Sequence, residues 1–262
     1  MKSPFYVNGK PFFSIGGQVN NSSTHSRKTL EKALRAIELF EMNTIAVPIY
    51  WYQIEPEEGN FDFEQIEFVL EEARKRSLKV VFLWFGSWKN GASHYVPSWV
   101  KKDKMRFKWA LNQVGARTRI LSPLCNEAKM ADINAFTHVM KYIKEVNEDD
   151  TVIAVQVENE PGLLGTPRDY SPSANEIFND TIPEDMIRFL EKNPNGEIYD
   201  CWMQNGSCAG DTWKNSFGFM AEEIFSAYFF SKYIEDVAAA GKSVYKLPMY
   251  VNVWVRETMN RI

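Results

Sequence analysis

One run of five residues has the types and the spacing of an acid–base site: Glu158-Asn159-Glu160-Pro161-Gly162. A carboxylic acid at Glu160 can protonate the leaving oxygen of a glycosidic bond if burial or a neighbouring carboxylate raises its pKa. Asn159 can donate a hydrogen bond to a sugar 2-hydroxyl, a contact that strengthens in the transition state. The same residues would also form a simple turn after a strand. Which of the two interpretations holds depends on the strands and helices around the motif.

The motif can line one cleft only if the chain bends within it. Alternate residues of a strand face opposite sides, so a straight strand would point Glu158 and Glu160 to one side and Asn159 to the other. A bend or bulge is therefore expected if Asn159 and Glu160 are both to face a substrate. Pro161-Gly162 is consistent with such a break.

The elements that must position the motif alternate between apolar strands and amphipathic helices. Strands are predicted at residues 12–17, 43–51, 79–85, 151–157 and 247–255, and apolar residues at helical spacing lie between them. This order predicts parallel βαβ units. Pro48 predicts a bulge or an end in the second strand, and Asp62 is predicted to cap the second helix.

The predicted fold class is α/β, a (β/α)8 TIM-barrel type that is truncated after about five strands. A complete barrel needs eight strands, and its active site lies at their carboxyl ends, where Glu160 follows the fourth strand. Residues 163–215 are rich in Gly, Pro, Asn, Asp and Ser. They predict a long irregular insertion after strand four that covers the cleft, within a single partial barrel domain of residues 1–262.

The segment Gln156–Gly162 resembles the acid/base motif of family 35 and family 42 β-galactosidases. Residues 51–63, 96–100 and 247–252 are similar to the second-strand block, the Pro-x-Trp segment and the fifth strand of these families. The resemblance implies a glycoside hydrolase that acts by retaining double displacement, with Glu160 as acid/base.

The resemblance also implies a nucleophile that this chain does not match, a Glu at the end of a seventh strand. Glu158 would lie on the same strand end as Glu160, and Glu55 belongs to a turn and helix lead-in. Glu257 is interpreted as a solvated surface charge. The nucleophile is therefore expected beyond this chain, and the 262 residues alone are expected to be inactive.

Residues at other strand ends are candidates for substrate binding. Gln18 follows the first strand, and Trp51, Trp84 and Asn252 lie at the ends of the second, third and fifth. Sugar rings have apolar faces that stack on indole, so the tryptophans in predicted loops are further candidates: Trp88, Trp99, Trp202 and Trp213.

The composition limits the class of protein and the ligands that can be expected. The chain is 45% hydrophobic and 24% charged with a net charge of −4, which predicts a globular domain and no affinity for nucleic acid or a membrane surface. The three Cys and three His have no metal-ligand spacing, so no metal or cofactor is expected. The N-terminus lacks the apolar core of a signal peptide, and a cytoplasmic location is predicted.

Three alternatives stay open at this stage. An endo-β-glucanase is one, because family 5 barrels also place Asn-Glu-Pro after strand four. A non-catalytic glycan-binding remnant is the second, because no nucleophile is found, and a purely structural half-barrel that binds no glycan is the third. The expected partner is a carbohydrate, together with either a second copy of the chain or the missing C-terminal part of the barrel, since an open barrel exposes strand edges.

Overall fold

The computed structural model describes residues 5–208 and 210–254. Its strands are β1 (Tyr6–Val7), β2 (Lys10–Pro11), β3 (Gly16–Gln18), β4 (Thr44–Tyr50), β5 (Lys79–Lys89), β6 (Trp109–Leu111), β7 (Arg117–Leu121), β8 (Val152–Asn159) and β9 (Met249–Tyr250). Its helices are α1 (Arg27–Leu39), α2 (Trp51–Ile54), α3 (Glu64–Lys75), α4 (Ser98–Lys102), α5 (Asn126–Val146), α6 (Pro172–Asn179), α7 (Glu184–Lys192), α8 (Glu197–Gln204), α9 (Trp213–Phe217) and α10 (Ala221–Val244), with a 3-10 turn at Gly218–Met220.

Five strands form one parallel sheet in the order β3-β4-β5-β8-β9. The sheet confirms the predicted barrel-type α/β fold of about five strands. Its two outer strands are shorter than predicted: β3 covers three residues and β9 covers two. The predicted end of the fifth strand, Val255, lies outside the described residues.

The two faces of the sheet are packed against different residues. Ile45, Val47 and Ile49 of β4 face outward and belong to the main apolar core beneath the helices. Tyr50 faces inward and packs with Leu83 and Phe85 of β5. Strand alternation thus separates a helix-covered outer face from an inner face that is free to form a site.

Pro48 does not interrupt its strand as the sequence predicted. β4 and β5 pair without a break from Thr44↔Lys79 to Tyr50↔Phe85. Ala46, two residues before Pro48, faces the same edge of β4 as Pro48 does. Its carbonyl oxygen accepts from the Val19 N–H, just past the end of β3. The edge of β4 that lacks the Pro48 N–H therefore faces a region where β3 has already ended, and no ladder hydrogen bond is lost.

The helices begin at local signals close to those predicted. Ser26 caps α1 by accepting from the Thr29 N–H. Asp62 acts one residue earlier than the assigned cap: its Oδ1 accepts from the Glu64 N–H at 2.8 Å, while Phe63 occupies the cap position of α3. In α5 the apolar stripe is buried as predicted, including Phe136, Met140 and Ile143.

The segment after β8 is not the irregular loop that its composition predicted. It contains the four short helices α6 to α9, which bury a separate apolar cluster around Phe178, Trp213 and Phe225. Asp169 joins it to the β6–β7 hairpin by accepting from the Leu111 N–H and the Ser122 hydroxyl. Short helices fit a Gly- and Pro-rich segment because each needs only one or two turns. The boundaries of this inserted region and its role as a cover remain predictions.

Among the described helices, none has the length and apolarity needed to cross a membrane.

The close packing of α5 against α10 can be tested at Gly241. A Cβ at this position would lie 2.4 Å from Cε1 of Phe136 and 3.1 Å from Cγ of Met140. We expect Gly241→Val to lower the free energy of unfolding by about 1–3 kcal/mol, because the core must overpack. Urea unfolding measures this difference. Ser243→Val, on the exposed side of the same helix, is the control and should change it by less than about 0.5 kcal/mol. Equal losses in the two variants would contradict the close contact.

Candidate active site

The carboxyl ends of β5, β8 and β9 bring three predicted site residues together. The Glu160 N–H donates to Oδ1 of Asn252 at 3.0 Å and to its carbonyl oxygen at 3.2 Å. The Asn252 Nδ2 group donates to Oδ1 of Asn159 at 3.3 Å. Asn252 therefore connects the end of the fifth barrel strand to the Asn159-Glu160 pair.

The break that the sequence required in β8 is present in its backbone. Glu158 and Glu160 both have positive φ, +61° and +47°, which is uncommon for residues with a side chain. Asn90, at the end of the neighbouring β5, has φ +53°. Three such residues at adjacent strand ends store backbone strain of the kind that clusters at functional sites.

Asn159 faces the inner side of the sheet. Its Oδ1 accepts from Nε2 of Gln156 at 3.2 Å, and Gln156 is paired with the inward-facing Leu83. Its Nδ2 donates to Oδ1 of Asn90 at 3.2 Å. The amide is thereby fixed in orientation before any substrate binds, as a positioning group needs to be.

Lys89 is a site residue that the sequence analysis missed. It ends β5 opposite Asn159, is only 8% exposed, and its Nζ lies 5.1 Å from the centre of the Phe85 ring and donates to Oδ1 of Asn90. Burial lowers the pKa of its ammonium group, and the Glu160 carboxylate opposes that shift. The apolar run of β5 gave no signal for Lys89, because its position opposite Asn159 depends on the shifted pairing of β5 with β8.

Glu158 faces away from Asn159 and Glu160. Its carboxylate accepts from the Ser87 N–H at 3.0 Å and the Trp88 N–H at 2.7 Å, and it is fully buried. Burial and then the neighbouring Asp132 carboxylate raise the pKa of Glu158 well above its usual range. Glu158 is therefore not on the side of the sheet where Asn159 lies.

The predicted tryptophans do not form the aromatic lining of a cleft. Trp51 and Trp84 are fully buried in the core beneath the helices, where their indole N–H groups donate to Glu55 and Asp132 at 2.8 Å. The predicted contacts of these two rings with a substrate are wrong, because each ring faces the outer side of the sheet or packs within the helix layer. The others also pack in the two apolar clusters: Trp88, Trp99, Trp202 and Trp213.

Tyrosines provide the aromatic surface on the inner face instead. Tyr50 stacks on Tyr95 with ring centres 5.1 Å apart and on Tyr52 at 5.7 Å. Tyr52 and Tyr95 are half-buried, so part of each ring remains open to a ligand. Burial raises the pKa of all three phenols, which keeps them neutral hydrogen-bonding groups. The sequence signal was Tyr50-Trp51-Tyr52, in which the tyrosines flank the buried tryptophan.

Gln18 lies apart from the group around Glu160. It ends β3 in register with Ala46, and its side chain is exposed on the open first edge of the sheet. No contact joins it to Asn159 or Glu160 among the described residues. Its contact with a substrate remains a prediction.

Two other carboxylates, Glu55 and Glu257, were considered from the sequence. Glu55 is buried and accepts from Trp51 Nε1 and from the Gly59 N–H, both at 2.8 Å, so it stabilises the loop after α2. Glu257 lies outside the described residues.

A large cavity lies outside this group of residues. It has a volume of about 910 Å³ and lies between α10, β9 and residues 161–167, with Phe230, Ile234 and Trp254 among its lining. A Cβ at Gly91 would lie 2.4 Å from Cη2 of Trp254, so this indole packs closely behind the turn that follows β5. The cavity therefore belongs to the apolar outer side of the sheet beside its open edge.

The raised pKa of Glu158 makes a linkage prediction. A carboxyl group with a raised pKa in the folded state stabilises the fold below its unfolded pKa, and that contribution is lost as the pH rises towards the folded pKa. The unfolding free energy of the wild type, minus that of Glu158→Gln, should therefore fall above about pH 4.5, by up to about 1.4 kcal/mol per pH unit. Chemical denaturation at several pH values measures it.

The control for this comparison is Glu176→Gln, which removes an exposed carboxylate in α6. Its difference from the wild type should stay nearly constant with pH. A Glu158→Gln difference that is also constant would mean that Glu158 is ionised in the folded protein at neutral pH.

Comparisons with known proteins show which folds this structure is similar to. The structure is similar to β-galactosidases from Bacillus circulans sp. alkalophilus (14% identity, TM-score 0.61, 91% of this chain and 36% of that one) and the psychrophilic Marinomonas ef1 (11%, 0.63, 92% and 37%). It is also similar to a polyextremophilic β-galactosidase from the Antarctic haloarchaeon Halorubrum lacusprofundi (15%, 0.60, 92% and 36%).

These likenesses concern the fold, and the chain spans little more than a third of the length of those proteins. None of the curated proteins compared with the sequence matches it. The model of the glycosyl hydrolases family 35 matches residues 4–236, which is most of the chain and includes the whole Glu158–Gly162 motif. The chain therefore belongs to glycosyl hydrolases family 35.

Proposed function

We propose that this chain carries the acid/base half of a retaining β-galactosidase active site, with Glu160 as the acid/base. The observation that carries the proposal is the position of Glu160 at the carboxyl end of the fourth barrel strand, where its N–H is held by Asn252 and its neighbour Asn159 is fixed on the inner face. Carboxyl ends of barrel strands are where the catalytic groups of this architecture lie.

In the proposed first step the nucleophile forms a bond to the anomeric carbon while the bond to the glycosidic oxygen breaks, and the Glu160 carboxyl protonates that oxygen. In the second step a water replaces the nucleophile at the anomeric carbon, and the ionised Glu160 takes the proton that this water loses. Asn159 has one Nδ2 hydrogen engaged by Asn90, which leaves the other for a sugar hydroxyl.

Two further groups suit substrate binding. The Lys89 ammonium can donate to sugar hydroxyls, and it lies close enough to the Glu160 carboxylate for the two charges to attract each other. The half-open rings of Tyr52 and Tyr95 give a stacking surface for the apolar face of a sugar. These roles replace those predicted for Trp51 and Trp84.

Retention needs a second carboxylate about 5–5.5 Å from the first, on the opposite face of the sugar. Glu158 and Glu55 are each held by two donors in buried positions, so neither is a candidate. We therefore propose that the nucleophile lies outside the described residues, on a part of the barrel beyond β9.

The substrate class is proposed from family membership together with the printed activity of the similar structures, which are β-galactosidases. The carbohydrate binds at the inner face of the sheet. The open edges at β3 and β9 favour pairing with further barrel strands or with a second copy of the chain. The cytoplasmic location remains a prediction from the sequence.

The role of Glu160 is tested with Glu160→Gln in the longest protein that the gene encodes. The variant should hydrolyse a phenyl β-galactoside about 10²–10⁴ times more slowly than the wild type, the range for loss of acid/base catalysis. With a dinitrophenyl β-galactoside, whose leaving group needs no protonation, the first step should be almost unaffected and a burst of dinitrophenol should appear. Steady-state and stopped-flow absorbance measure both.

The control variant is Glu191→Gln, an exposed carboxylate of α7, which should leave both rates unchanged. A β-glucan in place of the galactoside tests the endo-glucanase alternative. Turnover by Glu160→Gln equal to the wild type would remove the proposed role, and sugar binding without turnover by the wild type would favour a non-catalytic glycan-binding domain.

A further inference from the structure

The end of β5 contains a bulge opposite the catalytic motif. Trp84 pairs with Val157, but the next paired residues are Lys89 and Asn159, so four residues of β5 lie opposite a single residue of β8. Extra residues in a strand leave backbone groups without ladder partners. Buried N–H groups of this kind need an acceptor from a side chain.

Glu158 is that acceptor. Its two carboxylate oxygens accept from two consecutive N–H groups of the bulge, Ser87 to Oε1 and Trp88 to Oε2. The single residue of β8 that faces the bulge is thus the one that satisfies it. Gly86 leaves the room for this arrangement, because a Cβ there would lie 2.6 Å from Oε1 of Glu158 and 2.8 Å from Oδ1 of Asp132.

Asp132 of α5 binds the same bulge from the helix side. Its Oδ1 accepts from Trp84 Nε1 at 2.8 Å, and its Oδ2 accepts from the Ser87 hydroxyl at 2.7 Å and the Tyr233 hydroxyl at 3.3 Å. Asp132 is fully buried, and the Ser87 N–H donates both to its Oδ2, at 3.2 Å, and to Oε1 of Glu158, at 3.0 Å, so the two carboxyl groups lie side by side. Two carboxylates cannot both ionise in such contact without strong repulsion, so a hydrogen bond between them needs a proton.

We propose that Glu158 and Asp132 are a proton-sharing positioning pair that holds the bulge in β5 and so sets Lys89 and Asn90 against Asn159 and Glu160. The role of the pair as a support for catalysis rests on the proposed function of Glu160. The pair itself touches no substrate. The site keeps its geometry while the pair holds one proton, and loss of that proton forces the two carboxylates apart and releases the bulge.

The titratable groups around the pair are Tyr233 of α10, which contacts Asp132, and Cys125, which lies near Tyr233. Tyr233 donates towards Asp132 and is within 2.6 Å of the Ser87 hydroxyl, and burial followed by the two carboxylates raises its pKa well above the usual value. Cys125, just before α5, is buried, and burial raises the pKa of its thiol. Both neighbours therefore stay neutral, and no cation among the described residues contacts the pair.

Two conservative variants separate the effect of the shared proton from the effect of the hydrogen bonds to the bulge. Asp132→Asn removes the repulsion, and its amide can still accept from Trp84 while the Ser87 hydroxyl turns to accept from it, so Glu158 keeps both N–H contacts. Glu158→Gln keeps the size of the side chain but offers one acceptor oxygen to two N–H groups. We expect the second variant to disturb the site at every pH and the first only to remove the pH dependence.

The shared proton is measured by infrared spectroscopy at neutral pH in a Glu160→Gln background, which removes any signal from Glu160. The single variant should show the carbonyl stretch of a buried protonated carboxyl group. Adding either Glu158→Gln or Asp132→Asn should abolish it. A spectrum without this band, or a band that survives both additions, overturns the pair whether or not the protein is a glycosidase.

The positioning role is measured with Glu160 intact, on dinitrophenyl β-galactoside from neutral to alkaline pH, because this substrate needs no proton from Glu160. Glu158→Gln should lower kcat by about 10- to 100-fold with KM changed much less, as expected for misplaced catalytic groups. The wild type should lose activity on the alkaline side, and Asp132→Asn should retain it.

The outcomes distinguish the two proposals. A wild-type kcat in Glu158→Gln, or an alkaline loss that Asp132→Asn shares with the wild type, overturns the positioning role. If Glu158→Gln does not fold, Asp132→Asn still decides through its alkaline activity. A wild type that never hydrolyses the galactoside refutes the proposed function, and the infrared band then decides the pair alone.

Discussion

The satisfaction of two buried N–H groups by the carboxylate of Glu158 is the interaction on which the candidate site depends. A regular ladder between β5 and β8 would have run past Trp84 and Val157 without a bulge, and Lys89 would have paired with Gly162 instead of Asn159. An unpaired buried N–H costs about 1–3 kcal/mol, so the bulge needs an acceptor to persist. Because Glu158 turns to the helix side to provide it, Asn159 is left on the inner face.

The same turn explains the chemistry at the inner face. The positive φ values of Glu158 and Glu160 bracket Asn159 and let consecutive residues serve different sides of the sheet. Asn252 then binds the Glu160 N–H, so the fifth strand contributes to the position of the acid/base even though it is only two residues long. Lys89 gives this face a buried positive charge, and the tyrosines give it aromatic surface. The arrangement combines a fixed amide, a carboxyl group and a cation within one strand-end cluster.

The sequence predicted the strands of the sheet well, but it predicted less well which side of the sheet each side chain faces. Apolar runs and helical spacing identified the five parallel strands, because both signals come from burial on the two sides of a sheet. Position along a strand did not identify which side a tryptophan faces: Trp84 ends a predicted strand but pairs beside the outward-facing Ile49, while Phe85 faces inward. The helices after β8 were missed because a Gly- and Pro-rich composition hides helices of eight or nine residues.

For the site, the motif and the need for a bend in it could be read from residue types. The bulge in β5 could not be predicted, because it arises from pairing between segments about 70 residues apart. Asp132, which also accepts from the bulge, lies on α5, and nothing in the sequence around it indicated that it would be buried. Lys89 was missed for the same reason, since its burial depends on that register.

The central claim, that Glu160 is the acid/base of a retaining galactosidase, is tested most directly by azide rescue of Glu160→Ala. Removing the carboxylate leaves a space in which azide can attack the galactosyl intermediate without base catalysis. We expect azide to restore the release of dinitrophenol from dinitrophenyl β-galactoside, and NMR of the product to show β-galactosyl azide. The α-azide would instead identify Glu160 as the nucleophile, and a rate that azide does not change would contradict an acid/base role at this position.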